Sequence, residues 1–476
     1  MPDFLQFIND VIWGSMMIYL LAGAGIWFTF RTGFIQFRYL RHYSKSLKNS
    51  LTPQPGGLTS FQALCTSLAA RAGSGNLAGI SLAIATGGPG AIFWMWISGL
   101  TGMAISFAEC SLSQLYKQRD AAGQFRGGPA WYMAHGLGMR WMGILFSLFL
   151  LLSYGLVFNT IQANSVASAL NYAFTMPSLV TGIILAVLIL LIITGGLRRV
   201  VRMMQWLVPV MVIFWVATSL WISAWHIAAL PETIATIVKS AFGWHEAAAG
   251  AAGYTVSQAL TSGFQRGMFS NEAGIGSTPN VAAAASSWPP HPAAQGIVQM
   301  IGVFIDTFIL STCSALIVLL AGPNTLHTAA DGIQRIQQAM VMLIGDAGPG
   351  FVAIVVALLA FTSIVGNYLY AENNLVFLRL DTLWARRGLR AATFIMIVAG
   401  SLLSFPLVWQ LANIAMALMA LTNLTAILLL SPVVRLIAND YLRQRKLGVR
   451  PVFDPQRYPD LHQQLTSGAW DNLPKQ

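Results

Sequence analysis

The feature that most constrains this chain is a succession of apolar runs, each near the ~20 residues a helix needs to cross ~30 Å of hydrocarbon. Eleven are counted, at 13 to 31, 60 to 86, 89 to 117, 143 to 171, 178 to 197, 203 to 227, 255 to 285, 293 to 321, 349 to 378, 389 to 404 and 407 to 438. Strands of a membrane barrel would alternate apolar and polar residues over ~10 positions, and these runs do not, so helices are expected. Charged residues make up 9% of the chain, against roughly 25% in a soluble domain. The expected fold class is therefore an all-α polytopic membrane protein.

The net charge of +11 is collected in particular loops. The loops after spans 1, 3, 5 and 9 and the tail after span 11, with the adjoining span ends, carry 23 of the 27 Lys and Arg residues. Arg31, Arg38, Arg41, Lys45 and Lys48 lie in the first loop, and Arg379, Arg386, Arg387 and Arg390 in the ninth. The opposite side has Lys239 and Arg335. Basic loops stay cytoplasmic, so the N-terminus is expected outside and the tail inside, with the excess charge facing anionic lipid rather than nucleic acid. The first span lacks a basic leader and a small-residue cleavage site, and is expected to be retained.

Polar groups inside hydrocarbon are costly and are functional candidates by default. They are Arg71, Glu109, Arg266, Glu272, Asp306 and Glu372. No histidine lies in a span interior, which disfavours a histidine proton relay or a bis-His haem. Cys65, Cys110 and Cys313 lie in apolar runs as packing residues, and no metal-ligand spacing or cofactor motif occurs.

Two spans contain Ala-Gly-x-Gly near mid-membrane: Arg71 to Asn76 in span 2, and Asn271 to Pro279 in span 7. Glycine at that depth breaks a helix, and the freed backbone groups must face protein or a polar cavity. Asn76, and Ser277 or Thr278 before Pro279, are expected to cap the helices that restart. Each break begins a block of five spans, and because five is odd the second block is inverted. Broken helices at matching positions of inverted repeats mark a secondary transporter with a midplane site. Two unrelated glycine kinks are the alternative.

The stretches Gly73-Ser74-Gly75-Asn76-Leu77-Ala78-Gly79, Gly87 to Trp96, Gly127-Gly128-Pro129, Phe269 to Gly274 and Pro406 to Trp409 closely resemble the alanine or glycine:cation symporter (AGCS) family, including its enterobacterial sodium:alanine symporters. The resemblance runs across the chain. It implies a LeuT-like 5+5 inverted repeat preceded by one extra helix, in the bacterial inner membrane, and sodium-driven uptake of small neutral amino acids such as alanine and glycine. The corresponding divisions are 1-57 (extra helix and basic loop), 58-227 (first repeat), 228-254 (an external loop, read as a lid), 255-438 (second repeat) and 439-476 (cytoplasmic tail).

On that reading the substrate carboxylate meets backbone donors at Gly73, Ser74, Gly75 and Asn76 and at Gly274 to Ser277, with Asn271, Gly276, Gln162 and Asn367 beside it. Close helix packing by small residues is the alternative for the glycines. Asn159 and Gln162 share a helix face, and Gln162 is the stronger candidate, although an interhelical hydrogen bond suits it equally. The LeuT-like pattern implies a sodium site from Thr362 and Ser363 with the carbonyls of Ala69 and Ala72, and Asn76 adds an oxygen. The alternative for the hydroxyls is a bond to their own helix.

Arg71 stands where many relatives carry Thr, and Asn367 where some carry Trp. Arg71 is expected to pair with Glu272 or Asp306, to replace a bound sodium, or to recognise a second carboxylate. Arg266 and Glu272 are read as a structural or gating pair, and Glu109 and Glu372 as residues toward the cytoplasmic ends of spans 3 and 9, within reach of solvent or loop arginines. A channel lacks a charged ring here, and no catalytic constellation suggests an enzyme. The remaining alternative is a proton-coupled or cation-independent amino-acid transporter or exchanger in which Arg71 substitutes for a cation. Oligomeric state is left open, a monomer being sufficient.

Overall fold

The computed structural model describes residues 2–39, 42–54, 56–121, 123–244, 252–322, 332–465 and 469–470. The Arg41 charge and the Ala/Gly run after Glu246 lie outside the described residues. Six helices among them are long and apolar enough to cross a membrane: Gly90–Leu115, Arg140–Phe174, Leu197–Trp225, Pro292–Leu320, Gly348–Phe377 and Phe405–Leu429. The other five apolar runs appear as shorter, interrupted or more polar helices.

The chain starts with α1 (Pro2–Ile12), which runs through a π-helical turn at Trp13–Met17 into α2 (Ile18–Arg31). The residues before the first apolar run are thus helical, anchored by Asn9 and Trp13 on backbone carbonyls of Gln410 and Asn413. After two short helices, Ile35–Arg38 and Tyr43–Ser50, come the two halves of the first broken span, α3 (Ser60–Arg71) and α4 (Ala78–Gly87), and then α5 (Gly90–Leu115). Thr59 and Gln62 form a reciprocal capping box at the start of α3. A hairpin of β1 (Gln118–Arg119) and β2 (Phe125–Arg126) follows α5.

The first block closes with α6 (Arg140–Leu152), α7 (Phe158–Phe174), α8 (Ser178–Ile193) and α9 (Leu197–Trp225). The segment read as a lid holds α10 (Leu230–Ala241), which carries Pro231 in its first turn and is pinned by Trp94 Nε1 donating to the Ala241 carbonyl at 3.1 Å. The second broken span is α11 (Ala252–Asn271) and α12 (Pro279–Ala284). It is followed by α13 (Pro292–Phe304), α14 (Thr312–Leu320), α15 (Gly332–Ile344), α16 (Gly348–Phe377), α17 (Leu383–Leu402) and α18 (Phe405–Leu429).

The last apolar run ends earlier than expected. The helix stops at Leu429, and a separate, basic-ended α19 (Ser431–Lys446) carries Pro432 in its first turn, because proline lacks the N–H that would continue the preceding ladder. The segments after the first and last spans meet: Tyr39 packs against Tyr441, and His291, beyond α12, contacts Asp440 at 3.3 Å. The two broken spans lie inside the bundle, with α11 and α12 along α5 and with α3 against α9 and α16. Every described residue from Ser67 to Ile80 and from Arg266 to Ala283 is buried, whereas α8 and α9 expose rows of Leu, Ile, Val and Trp outward, as lipid-facing helices do.

Candidate functional site

The first break begins where the α-helical ladder ends at Arg71. Gly73 turns to extended backbone, and a single 3-10 turn at Ser74–Asn76 precedes α4. Gly73 is required by close approach: a Cβ there would lie 2.5 Å from Ser363 Oγ and 2.7 Å from Gln162 Nε2. Gln162 Oε1 accepts from Ser74 N at 2.9 Å, so this amide supports the opened backbone. A Cβ on Gly75 would strike the Phe269 ring at 2.7 Å.

The second break alternates left-handed residues, Glu272 at φ 55°, Gly274 at 86° and Gly276 at 87°. Glu272 pays the steric cost of an L residue there and is held by Ser277 Oγ donating to its carboxylate at 2.6 Å. Asn271 accepts from Ala273 N at 3.0 Å and donates to Thr307 at 3.2 Å, bracing the break. Asn423 donates to the Gly274 carbonyl at 3.0 Å and to Glu109 at 2.9 Å.

Neither expected cap forms. The restart at Ala78 has no side-chain cap, and Thr278 precedes Pro279 without capping it. Their polar side chains serve buried charges instead, and an uncompensated charge costs more than an uncapped N–H.

Asn76 meets Ser270, Asp306 and Ser311, joining both broken spans to the eighth. Asn76 Nδ2 donates to Asp306 Oδ1 at 2.6 Å. Ser270 Oγ lies 2.5 Å from Asn76 Oδ1, 2.6 Å from Asp306 Oδ2 and 3.1 Å from Ser311 Oγ, which in turn lies 2.7 Å from Asn76 Oδ1. Each hydroxyl has one proton and several oxygen neighbours, so lone pairs outnumber donors. An oxygen-rich cluster that includes a carboxylate is the donor chemistry hard cations prefer. Sequence reasoning did not single out Ser270 or Ser311. Asp306 and Ser311 are five residues apart and come together only through the π-helical turn Ile305–Ser311.

The expected set of Ala69, Ala72, Asn76, Thr362 and Ser363 is divided. Ser363 Oγ donates to the Ala69 carbonyl at 2.7 Å, while Thr362 Oγ1 bonds back to Leu359 O in its own helix at 2.9 Å. Ala72 and Asn76 border a small cavity closed by Trp215, Leu310 and Leu359. The Asn367 amide donates to Asn159 Oδ1 at 3.0 Å.

The charges also sort differently from expectation. Arg71 is 2% exposed and makes no direct ion pair with Glu272 or Asp306. Its Nε and Nη2 donate to Thr278 Oγ1 at 3.2 and 2.8 Å, and Thr278 lies 3.5 Å from Glu272 Oε2. Gly302 makes room for it, since a Cβ there would lie 2.6 Å from Arg71 Nη1. Arg266 does not pair with Glu272. It stands over the Trp409 ring at 4.6 Å and donates to Asn413 at 3.3 Å, because α11 turns it away from the break. Glu109 is 0% exposed and buried against the second break, not within reach of loop arginines. Glu372 does reach a loop arginine, Arg386, at 3.2 Å.

A polytopic helical protein with two opened helices and a buried polar junction has the build of a membrane transporter. The sodium:alanine symporter family profile matches residues 1–455. The chain is 68% identical over 473 residues to an uncharacterized transporter, YaaJ, of Escherichia coli K12, covering 99% of each. It is 46% identical to the amino-acid carrier protein AlsT of Bacillus subtilis, covering 95% of each, and 35% identical to the sodium/alanine symporter AgcS of Methanococcus maripaludis, covering 91% of this chain and 96% of that one. The chain belongs to the sodium:alanine symporter family and is a transporter, not an enzyme.

Proposed function

We infer that the protein couples sodium entry to uptake of a small neutral amino acid, alanine or glycine, across the bacterial inner membrane by alternating access. The observation that carries this is the oxygen cluster of Asn76, Ser270, Asp306 and Ser311 where the two breaks meet, in a chain of a sodium-symporter family. Sodium at this cluster would neutralise Asp306 and join both opened helices, so ion occupancy and the shape of the substrate pocket change together. The Ser363 hydroxyl and Ala69 carbonyl are the core of a second ion position. Backbone N–H groups of Gly73 to Asn76 and Gly274 to Ser277 are the donors for the substrate carboxylate. The eleven apolar runs are read as eleven spans, with the N-terminus outside, the basic face and tail cytoplasmic, and the two five-helix blocks as a LeuT-like inverted repeat.

A second reading rests on Arg71. Its buried guanidinium, one hydroxyl away from Glu272, is a resident cation that substitutes for a coupling ion and leaves a proton-coupled or cation-independent carrier or exchanger. Radiolabelled alanine uptake into proteoliposomes separates the two. An inward sodium gradient is compared with equal potassium at matched membrane potential. Accumulation with sodium alone supports symport, and equal uptake in both supports the Arg71 reading.

A further inference from the structure

Lys117 lies two residues beyond the end of α5, on the basic face, and is 4% exposed. Its Nζ donates to Gln114 Oε1 at 2.8 Å and to the Ala285 carbonyl at 3.0 Å. It also sits 4.1 Å from the centre of the Phe125 ring and 4.9 Å from that of Trp470. Among the described residues no carboxylate lies within ion-pair distance of it. The ammonium is therefore balanced by two ring faces and two oxygens.

Ala285 directly follows α12, so Lys117 places a positive charge at the C-terminal end of that half-helix, where the backbone dipole favours it. The same edge of α5 grips α12 along its length. Ser113 Oγ donates to the Pro279 carbonyl at 2.6 Å, and Gln114 Nε2 donates to the carbonyls of Ala282 and of Ala285, the latter at 2.8 Å. Beside this grip a cavity of about 280 Å³ is lined by Gln62, Phe125, Arg198, Arg202 and Ala284. It touches α3, α9 and the end of α12 together.

Trp470 belongs to the tail, beyond residue 455 where the family match ends. It is 5% exposed, and its Nε1 donates to the Leu115 carbonyl at 3.0 Å. The tail is tied down twice more, by Phe453 N on the Pro290 carbonyl at 3.0 Å and by Gln464 Oε1 accepting from Tyr116 at 2.9 Å.

We propose that Trp470, docked on Lys117, is a tethered latch that holds α12 against α5 and sets how readily the cytoplasmic cavity opens. Lys117 is its positioning residue. When the indole leaves, water reaches the ammonium and competes for it, and the hold on the Ala285 carbonyl weakens. The latch rests on the reading of α12 as a moving part of the transport cycle.

The test is the rate at which N-ethylmaleimide modifies a cysteine at Ala284→Cys in the full chain in proteoliposomes. Trp470→Ala and Lys117→Met are each expected to raise that rate about fivefold, the scale of one partly desolvated cation–π contact. The double variant is expected to do no more than either single one, and Trp470→Phe, which keeps a ring, to retain most of the protection. Unchanged rates, additive effects, or an equal rise at a cysteine placed at Ser262 in α11, which would signal general loosening, overturn the latch. The readout is cavity exposure and not uptake, so its failure leaves the transport reading untouched.

Discussion

Asn76 Nδ2 donates to Asp306 Oδ1 across 2.6 Å, with both residues nearly inaccessible to solvent. This contact joins the opened backbone of the first broken span to the π-helical turn in the eighth. Asp306 is thereby the acidic member of an oxygen cluster that both breaks share, and substitutions there are expected to change ion dependence before they change anything else.

Asp306→Asn keeps the shape and removes the charge. The sodium concentration for half-maximal alanine uptake is expected to rise at least about tenfold, in line with the ~1.5–3 kcal/mol of interactions with charged groups. Ser270→Ala, which removes one oxygen, is expected to raise it about threefold. Sodium titration of initial uptake rates checks both, and an unchanged half-saturation in Asp306→Asn would remove the cluster from the coupling mechanism.

Ser363 and Thr362 are neighbours with different fates. Ser363 Oγ reaches the Ala69 carbonyl and Thr362 Oγ1 its own helix. Ser363→Ala is therefore expected to weaken sodium activation by roughly three- to tenfold, and Thr362→Val to change it by less than about twofold. The same titration distinguishes them, and equal effects would mean that the helix, not the Ser363 hydroxyl, matters.

Arg71 sits one hydroxyl away from Glu272. If the guanidinium stands for a coupling ion, Arg71→Thr leaves Glu272 uncompensated and open to another cation. Its uptake is then expected to become more steeply dependent on sodium, with a larger Hill coefficient. An unchanged Hill coefficient in an active Arg71→Thr carrier would sink that idea.

The apolar runs at 89 to 117, 143 to 171, 293 to 321 and 349 to 378 lie within a few residues of the helices Gly90–Leu115, Arg140–Phe174, Pro292–Leu320 and Gly348–Phe377. Hydropathy finds these because hydrocarbon imposes the same requirement on every turn. Both breaks were legible too, since Gly73, Gly274 and Gly276 occupy positions where a Cβ or an ordinary φ does not fit. The pairings of charged and polar side chains were not. Arg266 faces Trp409, Arg71 faces Thr278, and Glu109 faces Gly274 and Asn423. Each partner lies far away in sequence or on a turn whose direction no local rule gives.

By itself the sequence determined a helical membrane chain with basic loops collected together and two glycine-opened spans, because chain length, hydropathy and glycine's freedom are local properties. Only the tertiary structure decided that Ser270 and Ser311 join Asn76 and Asp306, that Thr362 turns to its own helix, and that Trp470 covers Lys117. Those arrangements depend on which buried polar group meets which across packed helices. In a dry interior each such group must be matched by a partner that only the folded bundle brings within reach.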